Sequence, residues 1–442
     1  MLTLISTMGR TSSLFQLLLI LFSCVPVQSE GCNVGWFGCK CQYQCHCKNN
    51  MACDVNGECV TGCDIDWFGT ACQYANLATL PEVNVTIAPR QTTTWLTDGD
   101  DTTCNEDGNI TSIHISWSTS YPFTWLRMKV KNTSLKFKNV NLTFLTSQKE
   151  TPTCINKQVS FIDSTRIDYR CEMTETIIQL RLTGPALKSL CSLYISGGRN
   201  VALHQSADQT STYNEGNIYF TASLAVDGNT TCNINDNSIS HTLLEPKPSW
   251  SLRLDTPKVV NRFVIYNRVD CCMNRLKNFI LTTFDINNKT LLTYQDLSPE
   301  AADIYTFPVR PHYPVSRIGI IPTDRDQKWD GDKFIVTICE IFMFGECMPG
   351  VWDLDCRHKC PEECPSWCQQ DTGKCLSCLG HSDPPRCNTV CASGTYGINC
   401  QQNCSDNCYN NSCNSVTGEC DKGRNGYKCQ FSSRAADINL RD

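Results

Sequence analysis

His241 is followed by 26 residues and then by Arg268-Val269-Asp270-Cys271-Cys272-Met273-Asn274-Arg275. Two guanidinium groups supply several N–H donors in fixed planes. Such a pair can hold neighbouring hydroxyls of a small neutral ligand, and a neutral imidazole can join the hydrogen bonding. Two close arginines repel each other; Asp270 between them can neutralise and orient one. Cys271 and Cys272 are adjacent. Ordinary disulfides want Cα atoms about 4.4–6.8 Å apart and neighbours sit near 3.8 Å, so the plain expectation is that each pairs elsewhere.

The chain that must position these residues has 442 amino acids, enough for several modules. Its 33 cysteines point to an oxidising compartment. Net charge is −6 with no long basic run, which argues against nucleic acid as a partner. Arg10, the apolar run 14–27 and small residues ending at Ser29 read as a secretory signal peptide over 1–29. That run is about 14 residues, short of the roughly 20 a membrane-spanning helix needs, and no later stretch is longer. The expectation is a secreted, extracellular protein with no membrane span. Glycosylation sequons begin at Asn84, Asn109, Asn132, Asn141, Asn229, Asn288, Asn403 and Asn410.

Cysteine density divides the rest. Residues 30–75 hold nine cysteines and 347–430 hold fifteen, while 76–198 and 199–346 hold four each. The outer segments are poor in Val, Ile and Leu, so disulfides must replace the missing core. A polar tail covers 431–442. Cys45-His46-Cys47 has metal-ligand residue types, but in a secreted chain disulfides are the favoured reading.

The two central segments repeat one pattern. Asp98-Gly99-Asp100-Asp101-Thr102-Thr103-Cys104 answers to Asp227-Gly228-Asn229-Thr230-Thr231-Cys232. Ser116-Trp117 answers to Ser249-Trp250, and a final apolar strand carries Cys191 in one copy and Cys339 in the other. Equivalent cysteines suggest the pairs Cys104–Cys191 and Cys232–Cys339. That leaves Cys154–Cys171 in the first copy and Cys271–Cys272 in the second. Strands are expected at 262–266, 279–284, 317–321 and 334–344 from β-branched and aromatic runs, with no long amphipathic helix.

Over nearly its whole length 199–346 resembles the F-type lectins, the fucolectin family, whose signature is His, 26 residues, then Arg-x-Asp-x-x-x-x-Arg or Lys. The flanks Asn200-Val201-Ala202-Leu203, Asp227-Gly228-Asn229 and Cys339-Glu340 agree. The outer segments resemble epidermal-growth-factor-like and laminin-type repeats, with turns such as Gly35-Trp36-Phe37-Gly38 and Gly394-Thr395-Tyr396-Gly397. Cys39 does not fit their usual spacing. The resemblance implies an all-β chain: two β-sandwich jelly-roll (galactose-binding-like) domains flanked by disulfide-rich EGF-like spacers. It implies terminal L-fucose held by His241, Arg268 and Arg275, with Asp270 as positioner and a vicinal Cys271–Cys272 disulfide offering an apolar face. It also implies a structural calcium ion (Ca2+), held by the carbonyls of Leu224 and Asn229, the Asp227 carboxylate, Ser238 and Glu340.

The first copy lacks the sugar motif. It reads Lys131-Asn132-Thr133-Ser134 where Arg-x-Asp would fall, and Ser192 replaces the calcium-site Glu. His114 has no arginine partners there and reads as an ordinary histidine. The expected function is a secreted lectin for fucosylated glycans, acting in recognition of microbial or cell surfaces. A single monosaccharide site makes few contacts, so clustering as a homo-oligomer is expected to supply avidity, with Cys39 a candidate interchain link. The competing reading is an adhesion or scavenger-type protein acting through its EGF-like repeats. A glycosidase needs two carboxylates flanking a cleft, and Asp270 and Glu340 are both assigned elsewhere.

Overall fold

A computed structural model describes residues 32–89, 92–105, 109–133, 135–309, 314–323, 333–365 and 367–420. The proposed leader at 1–29 and tail at 431–442 lie outside them. The described residues are nearly all β, with short 3-10 turns and no helix long and apolar enough to cross a membrane.

The cysteine-rich ends have little regular structure. The first carries two small ribbons, β1 (Trp36–Phe37) with β2 (Tyr43–Gln44) and β3 (Trp67–Phe68) with β4 (Tyr74–Ala75). Disulfides Cys32–Cys41, Cys45–Cys53, Cys47–Cys59 and Cys63–Cys72 stand in for a core. These bonds occupy Cys45 and Cys47, so the rival metal reading fails there. His46 instead stacks on Trp67, 3.4 Å between ring centres. Cys39 is disulfide-bonded too. The C-terminal end repeats the same unit, a nine-residue loop followed by two interleaved bridges: Cys347–Cys356 with Cys360–Cys368 and Cys364–Cys375, then Cys391–Cys400 with Cys404–Cys413 and Cys408–Cys420.

The first central segment is a sandwich of two four-stranded antiparallel sheets. One runs β5 (Asn84–Ala88), β6 (Ser112–Pro122), β11 (Thr176–Thr183), β8 (Asn141–Leu145). The other runs β12 (Leu190–Ile195), β7 (Trp125–Val130), β10 (Arg166–Glu172), β9 (Ile155–Phe161). Period-2 burial puts Leu142 and Phe144 of β8 inside, with Asn141 and Thr143 outside. The core between the sheets includes Ile113, Ile115, Leu126, Met128, Tyr169 and Leu193. Cys104–Cys191 and Cys154–Cys171 are bonded.

The second central segment turns on one long strand, β18 (Trp250–Tyr266). It changes partners midway. Its first half pairs with β14 (Ser206–Gln209) and β22 (Pro314–Pro322). Its second half pairs with β21 (Ile304–Pro308) and β24 (Glu340–Cys347). Outer strands β13 (Arg199–Asn200), β19 (Phe279–Phe284) and β20 (Thr290–Gln295) complete the sheet. Trp250, Phe263, Phe279, Leu281 and Ile341 fill the core and are all but inaccessible. Burying each large side chain contributes about 1.5–3 kcal/mol.

The terminal modules are not spacers. Glu346 of β24, fully buried, accepts Thr124 Oγ1, Trp125 Nε1 and Ser196 Oγ on Oε1, at 2.7–2.9 Å, all from the first sandwich. Its other oxygen accepts Arg170 and, from the C-terminal module, Gln370. Asp371 then accepts Gln73 Nε2 at 2.8 Å and Tyr74 OH at 2.9 Å from the N-terminal module. The four parts therefore share one polar junction.

Candidate functional site

The motif residues lie where β18 ends and the chain turns. Asn267, the first residue beyond the strand and fully buried, fixes that turn. Its Nδ2 donates to the carbonyls of Met273 and Ala302, both at 3.0 Å, and its Oδ1 accepts the Arg268 amide at 2.8 Å. The Val269 amide donates to the Cys232 carbonyl at 3.1 Å. The loop is thereby tied to the Cys232–Cys339 disulfide.

On this frame Arg268, Asp270, His241 and Arg275 come together. Arg268 is buried, and Asp270 takes its Nε at 2.8 Å and its Nη2 at 2.6 Å, leaving Nη1 outside the pair. The bonds from Arg268 hold the Asp270 carboxyl below its ordinary range. His241 ends the short strand β17 (Ser240–His241), which pairs with β23 (Thr337–Ile338). Its Nδ1–H donates to the Thr242 carbonyl at 2.6 Å, and its Nε2 accepts Arg275 Nη1 at 2.9 Å. A guanidinium can only donate, so this geometry requires the neutral imidazole. Burial, aided by both arginines, pushes the His241 pKa down from 6.5 to about 4, against the bond to Thr242. Burial and the Arg268 charge likewise lower the Arg275 pKa.

Cys271 and Cys272 are bonded to each other, with Cα atoms 3.8 Å apart, and Cys272 has a φ of 59°. The pair sits on the exposed rim beside Val269. Tyr213 covers His241 with ring centres 4.6 Å apart. Just beyond it, β15 (Asn214–Glu215) and β16 (Ile218–Tyr219) form an exposed hairpin with Tyr219 61 % accessible. Asn267 and Tyr213 were not singled out by sequence reasoning. The signal for Asn267 was its place directly before the Arg-x-Asp motif; Tyr213 had none.

The residues assigned to a cation lie on the inner side of the same loops. Glu340 is completely buried, and neither of its oxygens accepts a well-formed hydrogen bond. Burial, with the neighbouring Asp227 charge, raises its carboxyl well above the usual range. Asp227 is raised as well, chiefly by burial, although its Oδ1 accepts the Asn229 amide at 2.9 Å. A fully buried and a half-buried acidic group facing each other fit a hard cation that supplies positive charge. Leu224 and Asn229 are half-buried on the same loop. The Ser238 hydroxyl exchanges hydrogen bonds with the Asn233 backbone, both at 3.0 Å. Gly228, at φ +82°, needs a glycine, and a Cβ there would also run into Gln44 Nε2 and Trp36 of the N-terminal module.

Among the described residues the first sandwich brings no such cluster together. His114 bonds Ser112 and Gln179, and Ser192 stands buried at the position answering to Glu340.

Residues 224–313 match the family model described as NedA-like, galactose-binding domain. The second central segment is a galactose-binding-like domain. No curated protein sequence shows detectable similarity to the chain. Among solved structures the chain is similar to a Streptococcus pneumoniae fucose binding module, 24% identical over 34% of this chain and 97% of that one, TM-score 0.29. It is similar to a fucolectin from striped bass (Morone saxatilis) serum, 19% identical over 62% of this chain and 98% of that one, TM-score 0.29. A Clostridium perfringens module in complex with GalNAc-β-1,3-galactose is 16% identical over 32% of this chain and 95% of that one, TM-score 0.26. The motif cluster falls within the matched part of the galactose-binding-like domain except for Glu340, which follows it.

Proposed function

We propose that the galactose-binding-like domain binds terminal L-fucose, and that the chain is a secreted, calcium-containing lectin for fucosylated glycans. The observation that carries the reading is the convergence of Arg268, Arg275 and a neutral His241, with Asp270 charge-balancing one arginine. Fucose is small and uncharged, with an axial hydroxyl, a ring oxygen and a methyl group. The guanidinium donors suit the ring oxygen and neighbouring hydroxyls. An entering hydroxyl can accept from Arg275 and donate to His241 Nε2, taking over the bond that now joins them. The Cys271–Cys272 pair offers an apolar rim to the ring and methyl group. Calcium would be held by Glu340 and Asp227, with the Leu224 and Asn229 carbonyls and Ser238 beside them, and would neutralise the two carboxylates.

Arg268→Ala and Arg275→Ala are each expected to abolish retention on immobilised fucose with the circular dichroism spectrum unchanged. Retention of both folded variants at the wild-type level would overturn the reading.

A further inference from the structure

The junction between the N-terminal module, β13 and the C-terminal module holds a buried cation that the proposed sugar and calcium chemistry does not use. Arg199 is 4 % exposed. Its Nη2 donates to the Asp353 carbonyl at 2.6 Å and lies against the Cys347–Cys356 disulfide, while its Nε and Nη1 are buried with no hydrogen-bond partner. The adjacent Asn200 uses its Oδ1 on two backbone amides and leaves Nδ2 buried and unpartnered. Both residues line one cavity of about 70 Å³ between the modules.

Two carboxylates also line it, Asp255 and Asp355, and both are engaged by other cations. Lys258 sits 3.2 Å from Asp255, and Arg357 lies 3.0 Å from Asp255 and 3.7 Å from Asp355. Asp353 gives Arg199 only its carbonyl, because its carboxylate is turned to the Arg357 amide and His358. Lys258 is itself buried and already bound to Thr256 and the Asp355 carbonyl, so it adds positive charge beside Arg199 without offering it a partner. Burying donors without acceptors costs about 1–3 kcal/mol per group, more when charged. The cavity exceeds the roughly 10–15 Å³ that one water needs.

We propose that this cavity is a site for a small monovalent anion of the chloride class, accepting from Arg199 Nε and Nη1 and from Asn200 Nδ2. The anion would balance Arg199 and join the three modules that meet there. The proposal does not depend on the sugar reading.

The test is thermal unfolding of the full chain at saturating calcium and fixed ionic strength, with sodium bromide or chloride replacing sodium gluconate. The expected result is a saturable rise in melting temperature with halide that Arg199→Met abolishes. In a crystal soaked in bromide, an anomalous peak is expected in the cavity beside Arg199. A halide-dependent rise that survives in the variant overturns the assignment, as does a cavity without a bromide peak. Should the variant not fold, the bromide peak decides alone.

Discussion

His241 carries two demands that meet in one protonation state. Its Nδ1–H is committed to Thr242, and its Nε2 must accept. The folded pKa of about 4 lies below the unfolded 6.5, so the neutral form is the one folding favours. Its contribution to stability is complete above 6.5 and is lost as pH falls towards 4. Fucose binding at saturating calcium should therefore stay level from neutral pH down to about 5 and fall as pH passes through about 4. Isothermal titration across that range checks this. A midpoint near 6.5 would mean that the imidazole is not held as described. At this scale the sequence was informative about placement: the four side chains picked out by the spacing from His241 to Arg275 lie together in the fold. What the spacing could not convey was that Arg275 would occupy the imidazole acceptor, because that depends on how a 3-10 turn at Met273–Leu276 aims the side chain.

Among the elements, the turn after β18 and the loop carrying Asp227 behave as one piece. Cys232 bonds covalently to Cys339, the residue before Glu340, and its carbonyl holds the Val269 amide beside Arg268. A cation held between Asp227 and Glu340, as proposed, would therefore stiffen the frame of the proposed sugar site without touching the sugar. Binding only to the native state adds RT ln(1 + [L]/Kd), about 2.7 kcal/mol at a hundredfold excess. Chelator should lower the melting temperature of the full chain, and Glu340→Gln should remove that sensitivity. An unchanged melting temperature on chelation would count against a bound ion. Strand positions were legible where alternation was clean, and 279–284 coincides with β19. The 17-residue run of β18 was only half foreseen, since its first half alternates around Asp255 and Lys258, charged residues engaged by Arg357 and the C-terminal module.

For the molecule as a whole, duplication and the cysteine-rich ends could be read from the sequence, and their mutual packing could not. Asp371 and Gln73 are 298 residues apart in the chain, a distance over which no local pattern speaks. Glu346 is the test of that packing. Glu346→Ala leaves five donors without their acceptor, and loss of one partner from such a buried charged set is worth about 3–5 kcal/mol. Urea unfolding should show the midpoint falling accordingly, with the C-terminal module becoming susceptible to protease first. A wild-type midpoint would show that the junction is ornamental. The same junction has a mechanical meaning. With both cysteine-rich modules tied back to the sandwiches, a pull applied at a glycan bound as proposed would load a stiff bracket in shear rather than stretch a tether, and several such brackets fixed together could grip only surfaces whose sugars are spaced to match them.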